Sequence, residues 1–269
     1  MIKLIAIDLD GTLLNSAKKI PDENIKAIQK AAKSGVIIVL CTGRPKSGIL
    51  PYFEQLGLTD EEYIIMNNGC SIYNTKNWEL MNYAQITNDE LDKLNQVITH
   101  YPDIYLTLTG EKHYYVVGNE VPELVRYDAG LVFDIAKAIS LDDIKASSEI
   151  IFQAMYMAKS AYLDSFQETK EGVLATDFSV VRSQDYIFEA MPKGYTKATA
   201  LKKLSEQLGI TPTEVMAIGD AANDIEMLEF AGHSVAMGNA TKAIKGICRY
   251  ETSTNDQAGV AKAIYDYVL

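Results

Sequence analysis

Lys3-Leu4-Ile5-Ala6-Ile7-Asp8-Leu9-Asp10-Gly11-Thr12 is the stretch on which the fold turns. Its apolar residues run on without alternation, which suits a strand buried on both faces of a parallel sheet, and Gly11 and Thr12 then break it. Asp8 and Asp10 stand two apart at the carboxyl end of that strand, so if strand geometry persists both side chains point to the same side. In open α/β sheets, ligands bind beyond the carboxyl ends of the strands, and two carboxylates gathered there call for a cation. Asp-Gly is also a turn signal, so a pair of solvated turn acids is the competing reading.

Outward from this stretch, Pro21-Asp22-Glu23 followed by Ile25, Ile28 and Ala32 reads as a capped amphipathic helix, and Gly35 leads into the apolar run 36–41. A helix over 48–56 and a strand over 63–66 continue the alternation, which implies a parallel sheet covered by helices. The pattern changes over the tyrosine-rich stretch 83–188. There the sequence predicts a helix at 89–98 and strands at 104–108, 114–117, 150–157 and 178–182. After Pro192 the alternation resumes, with Ala198, Leu201 and Leu204 on one helix face and a buried strand at 215–218. A helix at 224–230, a strand at 234–237 and a helix at 259–267 follow. The fold class expected is therefore α/β: a parallel-sheet core from 1–82 and 189–269, with an α+β domain, 83–188, inserted in it.

The chain has 269 residues, 48% hydrophobic and 23% charged, which is enough to fold around its own core. A formal net charge of −11 without a dense Lys/Arg stripe repels a phosphate backbone and argues against nucleic acid as a partner. An anionic substrate can bind only where local cations or a metal override that field. Cys41, Cys70 and Cys248 are few, odd in number and far apart. They read as buried thiols in a reducing compartment, and a cytoplasmic location is expected. The run 4–7 is too short for a signal peptide or a membrane span, so no membrane partner is expected.

Three further motifs follow predicted strands or open helices. In Cys41-Thr42-Gly43-Arg44 a hydroxyl and main-chain amides in a tight turn can hold phosphate oxygens, although Arg44 reads equally as a surface cation. Lys193-Gly194-Tyr195-Thr196-Lys197 leads into a helix, and alone Lys197 reads as a surface lysine. In Gly219-Asp220-Ala221-Ala222-Asn223-Asp224, Asp220 can reach a magnesium ion and Asn223 can donate to a phosphate oxygen. Asp224 reads partly as a helix cap. Other chemistries lack their residues. Gly43 and Gly48 have P-loop spacing, but Ile49-Leu50 replace the required Lys-Ser or Lys-Thr. His100, His113 and His233 show no zinc or histidine-phosphatase spacing, and neither Gly-x-Ser-x-Gly nor Gly-x-Gly-x-x-Gly occurs.

In this order the four pieces resemble the motifs of the haloacid dehalogenase (HAD) superfamily: Asp8-Leu9-Asp10-Gly11-Thr12-Leu13, Thr42-Gly43-Arg44, Lys197, and Gly219-Asp220-x-x-Asn223-Asp224. The large insert resembles the Cof-type (IIB) subgroup with its C2 cap. The tail, Ala231-Gly232 with Val235-Ala236-Met237-x-Asn239-Ala240, is similar to that subgroup too, particularly its sugar phosphatases. Ala198 departs from the glycine usual after the motif lysine, and Ala221-Ala222 are small where relatives often carry polar residues.

The resemblance implies a HAD-like Rossmannoid core, a cap that closes over the site and carries specificity, and magnesium as cofactor. It implies Asp8 as a nucleophile forming an aspartyl phosphate, and Asp10 as the acid that protonates the leaving group and then the base that activates water. Magnesium ligands would be Asp8, Asp220 and the main-chain carbonyl of Asp10, with Asp224 supporting them from behind. Phosphate oxygens would be held by Thr42, the amides of Leu9 and Gly43, Lys197 and Asn223. Arg44 is a candidate substrate contact. The expected substrate is a small phosphorylated metabolite, a sugar phosphate first, then cofactors such as flavin mononucleotide or pyridoxal phosphate. The alternatives are a phosphomutase and a phosphate-binding protein without turnover. Oligomeric state is not legible.

Overall fold

The strand β1, Leu4–Asp8, is buried at every position, as an uninterrupted apolar run requires. It is followed by α1 (Asp22–Lys33), β2 (Ile37–Cys41), α2 (Lys46–Leu56), β3 (Tyr63–Met66), β4 (Ser71–Asn74) and β5 (Glu79–Tyr83). Next come α3 (Asn88–Val97), β6 (Tyr105–Gly110), β7 (Tyr114–Val117), α4 (Glu123–Leu131), β8 (Lys137–Ile139), α5 (Leu141–Ala146), β9 (Ile151–Met157), α6 (Ser160–Asp177), β10 (Phe178–Gln184) and β11 (Ile187–Pro192). The chain ends with α7 (Lys197–Gln207), β12 (Val215–Gly219), α8 (Ile225–Phe230), β13 (His233–Ala236), α9 (Lys242–Ile247), β14 (Tyr250–Glu251) and α10 (Gly259–Tyr267). The computed structural model describes all residues, Met1–Leu269. No helix is long and apolar enough to cross a membrane.

Contacts divide the chain into a first unit, Met1–Gly43, Leu50–Asn82 and Thr196–Leu269, and a second, Arg44–Ile49 and Tyr83–Tyr195. An eight-stranded sheet runs in the order β14-β13-β12-β1-β2-β3-β4-β5, parallel from β14 to β3 and with β4 antiparallel to β3. The chain leaves β1 toward β2 on one side and returns to β12 on the other, so β1 is the switch point where α/β sheets bind ligands. Asp8 is level with Cys41, and Ile7 with Ile218, so the ends of β2, β1 and β12 finish side by side. Helix α1 carries Asp22 and Glu23 in its first turn and Lys30 and Lys33 in its last, which complements its dipole. Its buried Asn24 accepts a 2.9 Å bond from the Ala261 amide and so ties α10 to it.

The second unit is a six-stranded sheet, β10-β11-β9-β6-β7-β8, in which only the β7–β8 pair is parallel. Leu106, Leu108, Ala154, Tyr156, Phe188 and Ala190 pack with α3 and α6 residues such as Leu94 and Phe166. The strand β11 runs to Pro192 and pairs with β10 along its length, so this sheet continues past Phe188. Sequence patterning does not reveal α6. Its buried apolar residues, Leu163, Phe166 and Leu174, are too sparse for a helical stripe, and Tyr162 and Val173 are exposed. Cys41 and Cys70 are buried free thiols as expected, whereas Cys248 is only half-buried because it follows α9 at the surface.

Glu62, just before β3, is an acid with no counterpart in the sequence reading. Its carboxylate accepts a 2.6 Å bond from the Ile38 amide while its own amide donates to Thr75 at 3.0 Å, so it pins β2 beside β3. Burial pushes its pKa from an ordinary 4.5 up to about 7, against the pull of the Ile38 N–H. A raised carboxylate pKa means the folded state keeps its proton while the unfolded state has lost it. Glu62 therefore supports the fold fully below pH 4.5 and withdraws that support as pH rises to about 7. We expect Glu62→Gln, which keeps a carbonyl acceptor for Ile38, to gain on the order of 1–3 kcal/mol over wild type between those limits. Urea unfolding at pH 5 and pH 8 checks this, and parallel pH profiles for the two proteins would refute it.

Candidate active site

Three loops at the carboxyl ends of β2, β1 and β12 carry most of the residues singled out by sequence, and the first turn of α7 adds Lys197. Thr196 caps that helix, accepting from the Thr199 amide at 3.3 Å while the Thr199 hydroxyl accepts from the Thr196 amide at 2.9 Å. Lys197 is the first helical residue, 1% exposed, and its Nζ donates to Asp8 Oδ1 at 2.6 Å and to Asp224 Oδ1 at 2.7 Å. It is thus not the surface lysine that its sequence context alone allows.

Asp224 is completely buried. Its other oxygen accepts from the main-chain amides of Asp220 and Ala221 at 3.0 and 3.1 Å, so it does cap its own turn, but it also holds the lysine. Asp220 accepts from the Thr12 hydroxyl at 2.9 Å and from the Asn239 amide at 3.2 Å, and the same Asn239 nitrogen donates to the Gly11 carbonyl at 2.8 Å. Gly11 is required here: its φ is +81°, and a β-carbon would lie 2.4 Å from Asp220 Oδ2. Thr12 and Asn239 orient Asp220. Sequence reasoning gave neither of them that role, though both lie inside motifs it quoted.

Asp8 and Asp10 do not share one environment. The strand ends at Asp8, and Asp10 lies in the following turn, where its Oδ1 meets Lys18 Nζ at 2.7 Å with the carboxylate a quarter exposed. Asp8 is buried, and its Oδ2 has no hydrogen-bond partner. Carboxylate oxygens of Asp8, Asp220 and Asp224 lie within 4.8 Å of one another. Burial, then the charge of Asp224, raises the Asp8 pKa well above the ordinary carboxylate range, with Lys197 opposing. Burial and Asp224 likewise push Asp220 up to about 6. For Lys197, burial favours loss of the proton, but Asp224 and Asp8 outweigh it and keep the ammonium charged.

Three buried or half-buried carboxylates thus face one ammonium, and one oxygen is left without a donor. A hard divalent cation with oxygen ligands fits that excess of carboxylate: Asp8 and Asp220 offer oxygens of the right kind, and Asp224 is committed to Lys197 and two amides.

The phosphate-binding candidates gather around the same point. Thr42 is buried, its amide donating to the Ile65 carbonyl at 2.9 Å. Asn223 donates to Asn68 Oδ1 at 3.1 Å, and a β-carbon on Gly43 would come within 3.0 Å of Asn68 Nδ2. Arg44 stands apart in this respect. It is buried, and its guanidinium donates to the carbonyls of Leu131 at 3.0 Å and Gly48 at 3.4 Å, within the second unit. It is not the surface cation that the sequence allowed.

An aspartate ending the central strand with another in the turn beyond it, a bridging lysine and a further acidic loop one strand away are set on an α/β fold with a parallel sheet. The chain belongs to the haloacid dehalogenase-like hydrolases, whose family model matches residues 5–264. It is 35% identical to the 5-amino-6-(5-phospho-D-ribitylamino)uracil phosphatase YcsE of Bacillus subtilis, over 100% of this chain and 96% of the relative. A haloacid dehalogenase-like hydrolase from Bacteroides thetaiotaomicron superposes with a TM-score of 0.87 at 32% identity, over 99% of both chains. A HAD subclass IIB sugar phosphatase shares the fold, with a TM-score of 0.83 at 23% identity over 98% of both chains. The protein is a phosphoric monoester hydrolase, with the parallel-sheet α/β fold that its motifs imply.

Lys197 neutralises two carboxylates that cannot reach water, so removing it should cost more than an exposed pair would. We expect Lys197→Met to lose ~3–5 kcal/mol at pH 8 without added divalent cation. The deficit should shrink as pH falls, because Asp8, whose pKa burial raises well above the ordinary carboxylate range, takes up a proton and loses its stranded charge. Guanidinium unfolding across pH 5 to 8 tests this, and a loss below ~1 kcal/mol at pH 8 would contradict the assigned coupling.

Proposed function

We propose that the protein hydrolyses small phosphate monoesters through an aspartyl phosphate on Asp8, with magnesium as its metal. The observation that carries this reading is the buried Lys197 bridge, which fixes one oxygen of Asp8 and leaves Oδ2 without a donor. A nucleophile needs that combination: an aimed side chain with one uncommitted oxygen.

In this reading Asp8 Oδ2 attacks phosphorus in line, and the bond to the ester oxygen breaks on the opposite side. Asp10 gives its proton to the departing oxygen and later removes one from the water that attacks the phosphoaspartate, which returns Asp8 and releases phosphate. Lys197, the Thr42 hydroxyl, the Asn223 amide and the main-chain amides of Leu9 and Gly43 hold the nonbridging oxygens, where charge spreads in the transition state. Asp8, Asp220 and the Asp10 carbonyl would hold the magnesium ion, which when bound offsets the repulsion between a carboxylate and a phosphate dianion. Thr12 and Asn239 keep Asp220 turned for that purpose.

The substrate we infer is a phosphate ester of a sugar or sugar alcohol. The named activity of YcsE, on a phosphoribitylamino compound, and the HAD IIB sugar phosphatase support this class. Arg44 remains a candidate for contacting the leaving group only if it gives up its bond to Leu131.

Phosphate release from a panel of sugar, sugar-alcohol and cofactor phosphates, with magnesium and with chelator, tests the proposal. Asp8→Asn should reduce kcat by more than ~10³-fold. Asp10→Asn should reduce it by ~10²–10⁴-fold. Magnesium-independent release would remove the metal from the reading. Transfer to a second sugar hydroxyl instead of water would make the protein a mutase.

A further inference from the structure

Between β3 and β4 the chain passes through Asn67, Asn68 and Gly69, all with positive φ: +51°, +52° and +101°. Three left-handed residues in succession are unusual, and both asparagines are buried, at 1% and 2% exposure. Gly69 has no alternative, because a β-carbon there would lie 2.1 Å from the Thr196 carbonyl. Asparagine is the non-glycine residue that tolerates this conformation best, but tolerance does not explain why a side chain is present at position 68. Backbone strain retained in a buried turn points to a use for what it presents.

What it presents is a bridge. The Asn68 amide donates to the Thr42 carbonyl at 3.0 Å, its side-chain oxygen accepts from Asn223 Nδ2 at 3.1 Å, and its side-chain nitrogen lies against Gly43. It thus touches the turn after β2 and the loop after β12 together, on either side of β1. Asn223 Nδ2 carries two hydrogens. With one committed to Asn68, the plane of the carboxamide is set and the other is aimed.

We propose that Asn68 is a positioning residue for phosphate, orienting the Asn223 amide without itself touching the substrate. This rests on the phosphatase reading above, in which Asn223 and Gly43 hold phosphate oxygens.

Asn68→Gly separates the two roles of the residue, since glycine keeps the left-handed backbone while deleting the carboxamide. Calorimetric binding of inorganic phosphate to the magnesium-loaded protein, and KM and kcat for the best substrate of the panel, are the readouts. Asn68→Gly should weaken phosphate and raise KM about tenfold, the loss of one well-placed hydrogen bond, with the unfolding midpoint near that of wild type. In an Asn223→Ala background the same substitution should change phosphate affinity by less than about twofold, because the group it orients is gone. Unchanged phosphate affinity in folded Asn68→Gly would overturn the proposal, as would a tenfold loss that persists undiminished in the Asn223→Ala background. Either result, beside normal wild-type turnover, sinks this inference and leaves the phosphatase reading standing. A wild type without turnover or phosphate binding sinks both.

Discussion

A single ammonium group buried between two carboxylates organises the site. Lys197 stands at the first position of α7, where the helix dipole is positive and a cation is disfavoured. Burial opposes its charge as well. It stays charged because Asp8 and Asp224 lie 2.6 and 2.7 Å away, from a strand end and a loop that converge on it. Each partner needs the others: without the lysine the two acids would be stranded, and without the acids the lysine would not remain an ammonium in a dry interior. The requirement binds β1, the β12 loop and α7 into one rigid corner.

Around that corner, polar side chains do the joining rather than apolar ones. Asn239 couples Asp220 to the Gly11 turn, its own oxygen accepts from the Asn255 amide at 3.0 Å, and Asn255 in turn donates to the Leu14 carbonyl at 2.9 Å. Asparagine suits such a place because its carboxamide both donates and accepts, so a chain of them satisfies buried main-chain groups without adding charge. In a site already holding three carboxylates, an uncharged bridge avoids further repulsion.

The sequence made the core and its motifs legible for a definite reason. Buried parallel strands read as continuous apolar runs, and the glycine, threonine and aspartate residues after them are the ones that tight turns and oxygen ligands demand. The second unit was less legible. In α6 the apolar stripe is sparse, and β8 has only three residues, none of them buried, so neither departs from a surface pattern. The asparagines were missed for another reason. Asn67-Asn68-Gly69 looks like an ordinary turn signal, and only the fold reveals that it lies between Thr42 and Asn223. Residues that act through other residues leave no spacing to read.

Asp8 and Asp10 have the same side chain, two positions apart, and the fold gives them opposite surroundings. Each is paired with a lysine, but Lys197 is 1% exposed and Lys18 51%. The pair at Asp8 is fixed by burial on every side, which suits the in-line attack proposed for it. The pair at Asp10 is open to solvent and correspondingly weak, so it can separate at little cost. The proposed role of Asp10, giving up a proton in one step and taking one in the next, needs that freedom, which a buried ion pair would deny it. Ending β1 at Asp8, with Asp10 in the turn beyond, lets one strand supply a fixed carboxylate and a labile one.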